Sequence, residues 1–264
     1  MKKYYLCNIE PIKSFAMKKM FIPFALLLLV AVGCNRESNQ SNEVEAEPFT
    51  YSDSVFLENE YEEGYSHYII NLDLPITNDD TLRHNIIQWM LNDGTEDYQA
   101  YFEADKIRFF EEEGNEPNAE FEGNYILAEQ TDQYVTYIST GYSFTGGAHP
   151  MPWYYGTTFS KIDGSILGYG IFENSEQLIG LVSENIRKQY FEPNNTEEEE
   201  YLFEPDEPFQ MPTNQPWIES DSMVFCYGPF EIAPYSAGMP LCKIAIEDLK
   251  PYLNEKGKKL LNIE

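Results

Sequence analysis

Among the residues of this sequence that could do chemistry, His149 stands out because of the residues around it. It lies in the segment Tyr142–Pro150, which reads Tyr-Ser-Phe-Thr-Gly-Gly-Ala-His-Pro. Gly146 and Gly147 permit positive φ and so predict a sharp reversal after a strand, while Pro150 restricts the backbone of His149. The segment could display the histidine beside a ligand, or it could be a tight loop whose histidine satisfies backbone groups.

A second segment, Tyr227–Gly238, combines a carboxylate with aromatic and small residues. It reads Tyr-Gly-Pro-Phe-Glu-Ile-Ala-Pro-Tyr-Ser-Ala-Gly, with Glu231 as its carboxylate and Tyr235 after its second proline. It could line a ligand site, or it could be a packed connection between two strands. If the two segments meet, a hydrolase using His149 and Glu231 is an alternative, provided that the side chains come within hydrogen-bonding reach. We expect such a contact to fix the loops rather than to catalyse a reaction.

Signatures of common enzyme and metal sites are absent from the sequence. The three histidines, His67, His84 and His149, form neither an H-x-x-x-H nor an H-E-x-x-H pair, so a zinc hydrolase site is not indicated. There is no G-x-S-x-G elbow and no Walker loop, and the segment Gly168–Gly170 lacks the third glycine of a dinucleotide fingerprint. The sequence therefore predicts a protein that is not an enzyme, with no catalytic residue, no cofactor and no metal site.

The N-terminal segment has the layout of an export signal. Residues 17–33 contain two lysines, an apolar run and a few small residues, and Cys34 follows them. The apolar run is shorter than the roughly 20 residues that a membrane-spanning helix needs. The layout resembles a bacterial lipobox, which implies that Cys34 is the lipidated first residue of the mature chain. A plain secretory signal is the alternative. Residues 1–16 resemble neither a signal nor a folded element, and we expect translation to start at Met17.

Residues 34–49 are predicted to be a disordered tether, because they contain almost no large apolar residue. The tether would space an extracytoplasmic domain from a bacterial membrane that holds the lipid anchor. Asn35 occupies the position where an aspartate often retains lipoproteins in an inner membrane. This favours the outer membrane, where the organism has one, with the domain facing the periplasm or the surface.

The chain is strongly acidic, with 17 basic and 45 acidic residues. Residues 1–33 hold five lysines and one glutamate, so 12 basic and 44 acidic residues follow them, a net charge of −32. Such a field repels nucleic acid and anionic lipid and attracts cationic partners. Solubility and spacing from an anionic envelope are the simpler explanation. We expect no nucleic-acid partner, and a cationic protein or peptidoglycan as candidate partners.

The apolar patterns predict an α+β domain of mainly antiparallel sheets packed by a few helices. The expected strands are Phe49–Leu57, Glu62–Leu74, Glu120–Glu129, Gln133–Phe144, Trp153–Lys161, Asp221–Tyr227 and Leu241–Ile246. Helices are expected after Asn78, after a Thr95 cap, from Asn174 to Phe191 and over Glu247–Leu253. The elements could form two α+β lobes, residues 50–115 and 116–253, followed by a tail, residues 254–264.

Two cysteines fall in predicted strands, Cys226 and Cys242. An extracytoplasmic compartment permits a disulfide between them. The sequence does not fix the separation of their Cα atoms, so a bridge and two free thiols are both open.

Two motifs resemble a family of domains of unknown function. Thr145–Pro150, which reads Thr-Gly-Gly-Ala-His-Pro, precedes Tyr227–Gly238, and the strand, turn and helix between them come in the matching order. The chain thereby resembles the RsiV/PdaC-type family, which includes the extracellular domain of the anti-sigma factor RsiV and the N-terminal domain of the peptidoglycan deacetylase PdaC. The resemblance covers roughly residues 50–253.

The resemblance implies a binding or sensing domain. In RsiV this domain binds lysozyme, a strongly cationic protein, and a net charge of −32 would suit such a partner through electrostatic steering. The sigma-binding part of RsiV and the deacetylase domain of PdaC are not found in this sequence, so neither activity is carried over. The hypotheses are therefore a non-enzymatic sensor of a protein such as lysozyme, a peptidoglycan- or glycan-binding module, and the hydrolase already named.

Overall fold

The computed structural model describes residues 43–92, 94–173, 176–192, 202–204 and 208–263, apart from the side chain of Glu113. The predicted lipidation residue Cys34, the predicted signal and most of the predicted tether lie outside these residues. Asn174, the predicted cap of a helix, also lies outside them.

Five strands form the larger sheet in the order in which they occur in the chain. They are β1 (Glu45–Glu58), β2 (Glu63–Ile76), β3 (Glu120–Gln130), β4 (Tyr134–Phe144) and β5 (Met151–Ser160). Neighbouring strands are antiparallel except β2 and β3, which are parallel. A parallel pair needs a long crossover connection, and two helices between β2 and β3 supply it.

β1 begins earlier than the predicted strand Phe49–Leu57, because residues 45–48, expected to be tether, are also strand. Val44 is buried, its N–H donates to Oε1 of Gln130 (3.0 Å), and its carbonyl accepts from Nε2 of Gln130 (2.8 Å). Phe49 packs against the rings of Tyr98 and Phe102. These contacts offset the ordering entropy of a segment that composition alone predicts to be disordered.

The helices α1 (Asp80–Leu91) and α2 (Tyr98–Arg108) form the crossover. Asp79 caps α1 by accepting the N–H of Leu82 (3.0 Å), as the run of polar residues before the helix predicts. The predicted cap of α2 is wrong. Asp97 caps α2 by accepting the N–H of Ala100 (3.0 Å), whereas Thr95 accepts the N–H of Asp97 (3.2 Å). A π-helix, Phe109–Glu113, continues α2.

Three short antiparallel strands form the smaller sheet, β6 (Trp217–Glu219), β7 (Ser222–Cys226) and β8 (Leu241–Ala245). The same half of the chain contains three helices, namely α3 (Glu176–Ile186) before β6, and α4 (Ile246–Leu249) and α5 (Glu255–Leu260) after β8. A π-helix, Arg187–Phe191, continues α3. β6 and α5 were not predicted, because β6 is short and α5 lies in a lysine-bearing tail. The α+β fold class is confirmed.

Each sheet has its own apolar core. Tyr68 and Ile70 of β2 pack with Leu82 and Ile86 of α1, whereas Val182 of α3 packs in a separate core with the smaller sheet. Strands from both predicted lobes belong to the larger sheet.

Trp217 is fully buried between the two sheets. A Cβ at Gly156 would lie 2.5 Å from Cγ of this indole. The close packing of the sheets therefore requires glycine at position 156.

The two ends of the larger sheet carry different features. The β1–β2 turn and the β4–β5 loop lie at one end, which we call the loop end. Val44 and the start of β1 lie at the other end, beside Gln130, which we call the tether end. β4 joins the two ends and rises about 3.3 Å per residue, so the ends are on the order of 30 Å apart.

Candidate functional site

The first motif, Thr145–Pro150, is the β4–β5 loop at the loop end of the larger sheet. Gly146 and Gly147 have φ of 90° and 105°, so the double glycine makes the reversal that its sequence predicts. The loop is exposed from Gly146 to Pro150, and His149 is therefore on the surface. Nδ1 of His149 lies 3.1 Å from the carbonyl oxygen of Pro150, to which a protonated Nδ1 donates.

The second motif, Tyr227–Gly238, connects β7 to β8. Tyr227 is buried, and its hydroxyl donates to the carbonyl of Gln210 (2.8 Å). Burial raises the pKa of this phenol well above its usual range. Near the end of the segment, the hydroxyl of Tyr190 donates to the carbonyl of Ala237 (2.6 Å). Both ends of the connection are thus held by tyrosine hydroxyls.

The two motifs meet through His149 and Tyr235. Their rings are stacked, with centroids 3.6 Å apart and planes inclined by 15°. The hydroxyl of Tyr235 donates to the carbonyl of Pro150 (2.7 Å). The ring of Phe230 lies 5.8 Å from that of Tyr235 and 6.4 Å from that of His149. We call these three rings, His149, Phe230 and Tyr235, the aromatic patch.

Phe230 occupies an unusual position for a large apolar residue. Its side chain is 49% exposed, and its φ is 64°. Left-handed backbone costs a residue with a Cβ about 1–2 kcal/mol. The fold thus holds an aromatic ring towards solvent in a conformation that asparagine or glycine would adopt more easily, a kind of strain that clusters at functional sites.

Glu231 supports the loop that carries the patch. Its Oε1 accepts from the N–H (2.6 Å) and the hydroxyl (2.9 Å) of Thr213, and its Oε2 accepts from the N–H of Gly228 (2.7 Å). A carboxylate with three donors is well satisfied, because charge-assisted hydrogen bonds are the stronger kind. None of the hydrogen bonds between described residues joins Glu231 to His149, so the pairing that a hydrolase would need is not formed in the structure.

Cys226 and Cys242 are free, buried thiols in the structure, so the disulfide alternative is not formed. Cys242 is paired with Phe225 in the β7–β8 register, and successive side chains of a strand point to opposite faces. The sulfur of Cys226 therefore lies on the other face of the sheet from that of Cys242. Burial raises the pKa of both thiols to about 12.

A second ionic cluster lies far from the motifs in sequence, around Lys106 on α2. Its ammonium group is almost completely buried and donates to Asp53 (2.6 Å) and Glu103 (2.8 Å). Burial alone would lower the pKa of Lys106, but the bonds to the two carboxylates raise it above its usual value. The Tyr51 hydroxyl also donates to Glu103 (2.6 Å), and the cluster ties β1 to α2.

A groove away from the motifs could also hold a ligand. A groove of about 480 Å³ runs along α2 and is lined by Thr95, Asp97, Ala100, Tyr101, Ala104, Asp105 and Arg108. Within the described ranges, histidine, cysteine and acidic side chains do not group in threes that could hold a metal ion. A helix with the length and apolar character to span a membrane is likewise not found in the part of the chain that the structure describes.

Known proteins resemble this chain in one sequence segment and in fold. The model of the DUF3298 family, described as "Protein of unknown function", matches residues 170–247. These residues include the second motif, and the first motif precedes them. The match confirms the resemblance to a family of domains of unknown function that the motifs indicated. None of the curated proteins matches the chain.

Two solved structures share the fold. A member of the DUF3298 family from Bacteroides fragilis is 17% identical, with a TM-score of 0.66, and the match covers 83% of this chain and 97% of that one. A DUF3298 family protein from Pseudomonas aeruginosa PAO1 is 19% identical, with a TM-score of 0.58, and the match covers 80% of this chain and 95% of that one. Residues 170–247 therefore match the model of the DUF3298 family, and the chain shares its fold with two solved proteins of that family.

Proposed function

We propose that this chain is an envelope lipoprotein whose domain binds a cationic protein through the aromatic patch, without transforming it. The observation that carries the proposal is the junction of the two motif loops. The stack of His149 on Tyr235 and the bond from Tyr235 to Pro150 give the patch a fixed shape. Rigid aromatic side chains are frequent anchors of protein interfaces.

The charge of the chain supports a cationic partner. A net charge of −32 after residue 33 raises the rate of encounter with a basic protein and repels acidic ones. Lysozyme is the candidate that the family resemblance implies, and it serves as the probe.

The anchor part of the proposal rests on the sequence around Cys34. Metabolic labelling with palmitate tests it in the producing cells. We expect label in the wild-type chain and none in Cys34→Ser, and label that survives the substitution would remove the anchor from the proposal.

Titration of the full-length chain with lysozyme at low and at physiological ionic strength tests the binding part. We expect saturable binding that weakens as salt rises, because exposed charges are screened. A second basic protein of similar size and charge is the control and should bind at least about tenfold more weakly, a difference of about 1.4 kcal/mol. Equal binding of both proteins, or no binding of lysozyme at low salt, would refute the proposal.

Glycan binding is the second candidate, and the exposed ring of His149, stacked nearly parallel on the partly exposed ring of Tyr235, favours it. Flat ring faces pack against sugar rings as they do against other apolar surfaces. Sedimentation with purified sacculi distinguishes the two candidates. A chain that remains in the supernatant with sacculi and binds lysozyme supports the first, and the reverse supports the second.

A further inference from the structure

Exposed aromatic residues concentrate at the loop end of the larger sheet. Among the described residues, five phenylalanine and tyrosine side chains are exposed, and four of them lie at this end: Phe56 (38%), Tyr61 (88%), Tyr65 (54%) and Phe230 (49%). Phe230 belongs to the aromatic patch. The other three belong to the β1–β2 hairpin tip, which we define as residues 56–65.

The hairpin tip is held in one shape by its own hydrogen bonds. The N–H of Asn59 donates to the carbonyl of Glu62 (2.9 Å). Oδ1 of Asn59 accepts from the N–H groups of Tyr61 (2.8 Å) and Glu62 (2.9 Å). Tyr61 is therefore presented by an ordered turn, so its exposure does not come from a loose loop. A turn whose backbone is already ordered loses little backbone entropy when a partner covers it.

Phe56 and Tyr65 form the side of the tip. They are direct partners in the β1–β2 register, and their rings meet edge to face with centroids 5.3 Å apart. Glu58 and Glu63 are also direct partners, two residues further towards the turn and on the same face, because side chains alternate along a strand. A pair of aromatic rings beside a pair of carboxylates suits a lysine or arginine side chain, which gains from both.

The four glutamates of the tip form no ion pair with another residue that the structure describes. They are Glu58, Glu60, Glu62 and Glu63, and all four are exposed. Like charges directly opposite each other destabilise a strand pair. The Glu58–Glu63 pair thus weakens the hairpin in the isolated domain, and a bound cation would relieve the repulsion.

Glu116 connects the tip to the first motif. Its Oε2 accepts from Nδ2 of Asn59 (2.6 Å). Its Cβ and Cγ lie 3.8 Å from the place that a Cβ at Gly146 would occupy. The tip, Glu116 and the β4–β5 loop therefore lie side by side, in that order, at the loop end of the larger sheet. The aromatic patch lies next to the loop.

We infer that the hairpin tip and the aromatic patch form one docking surface, and that its occupant is a cationic protein whose lysine or arginine side chains insert among the rings and glutamates of the tip. The inference rests on the proposed function and adds to it the second half of the site. The surface lies at the loop end, opposite Val44, so the preceding residues join the domain at the far end of the sheet.

Two double variants of the full-length chain test this inference with lysozyme as the probe. Glu58→Gln/Glu63→Gln removes two charges from the tip. Glu45→Gln/Glu47→Gln removes two exposed charges from the same strand at the tether end and is the matched control. We expect the first double variant to weaken binding about tenfold and the second less than about threefold. Salt screens charges that lie far from the bound partner, so only charges close to it contribute strongly to affinity.

Thermal unfolding separates a binding effect from damage to the fold. Since Glu58→Gln/Glu63→Gln relieves repulsion, we expect its melting temperature to equal or exceed that of the wild type while its affinity falls. Equal weakening by both double variants would show that only total charge matters and would overturn the inference. Loss of binding in the patch variant Phe230→Asn, with full binding in Glu58→Gln/Glu63→Gln, would overturn the inference and leave the proposed function intact. Absence of lysozyme binding by the wild type would overturn both.

Discussion

The imidazole ring of His149 lies parallel to the phenol ring of Tyr235, with the two centroids 3.6 Å apart. The Tyr235 hydroxyl binds the carbonyl of Pro150, which follows His149 in the chain. A ring stack and a backbone hydrogen bond thus join two loops that belong to different sheets. This junction fixes which ring faces the domain exposes.

The stack predicts an energetic coupling between His149 and Tyr235. In a double-mutant cycle of His149→Ala and Tyr235→Ala, we expect a coupling energy of about 0.5–1.5 kcal/mol, the range for stacked aromatic pairs. Urea unfolding of the four proteins measures it. Additivity within about 0.3 kcal/mol would mean that the loops do not support each other.

Glu231 is predicted to act in stability rather than in proton transfer. Glu231→Gln replaces one carboxylate oxygen by an NH2 group, which donates instead of accepting. The N–H of Gly228 loses its acceptor if Oε2 is replaced, and the two donors of Thr213 lose theirs if Oε1 is replaced. We expect the free energy of unfolding to fall by about 1–3 kcal/mol.

Glu247→Gln is the control for this substitution, because Glu247 forms an exposed ion pair with Lys250 and should lose less than about 1 kcal/mol. Equal effects of the two substitutions, measured by chemical denaturation, would show that the three hydrogen bonds of Glu231 contribute little.

The Lys106 cluster predicts a loss of stability in acid. The hydrogen bond from Lys106, with that from Tyr51, lowers the pKa of Glu103 in the folded protein. Stability from a lowered pKa is present above the unfolded value, about 4.3, and is lost as pH falls through the folded value. We therefore expect the melting temperature to drop between about pH 5 and pH 3, and to drop less in Lys106→Met. Parallel curves for both proteins would contradict this role of the cluster.

The buried thiols predict slow chemistry at Cys226 and Cys242. Burial raises the pKa of both thiols to about 12, so almost no thiolate forms near pH 8. Iodoacetamide should modify neither cysteine in the folded protein and both after denaturation without reductant, as read by peptide mass spectrometry. A peptide pair linked by a disulfide would contradict this prediction.

The sequence patterns predicted most of the strands and helices, but they missed the strand β6 and the start of β1. The alternation in β2 and the cap at Asp79 are local signals, and both elements were predicted nearly in place. β6 gave no such signal, because Trp217 and Ile218 are buried by contacts with β4 and β5, which lie far away in the sequence. The start of β1 likewise depends on a distant residue, because Val44 is bound by Gln130, which lies 86 positions away in the sequence.

The candidate site was predicted as two loops but not as one surface. The residue types in the two motifs singled out His149, Glu231 and Tyr235. The positive φ at Gly146 follows from its being glycine. The contact between the loops depends on how the two sheets pack, which the sequence pattern does not encode. Phe230 was not singled out, since neither its exposure nor its positive φ has a local signal.

Phe230 gives the most direct test of the claim that the motif loops form a binding surface. Phe230→Asn suits the observed φ of 64° and removes a ring that is 49% exposed. Ile162→Asn, at a 57% exposed residue near the tether end, is the matched control. The account predicts that Phe230→Asn keeps or raises the melting temperature and weakens lysozyme binding about tenfold, a loss of about 1.4 kcal/mol, while Ile162→Asn binds as the wild type does. Wild-type affinity in folded Phe230→Asn would contradict it.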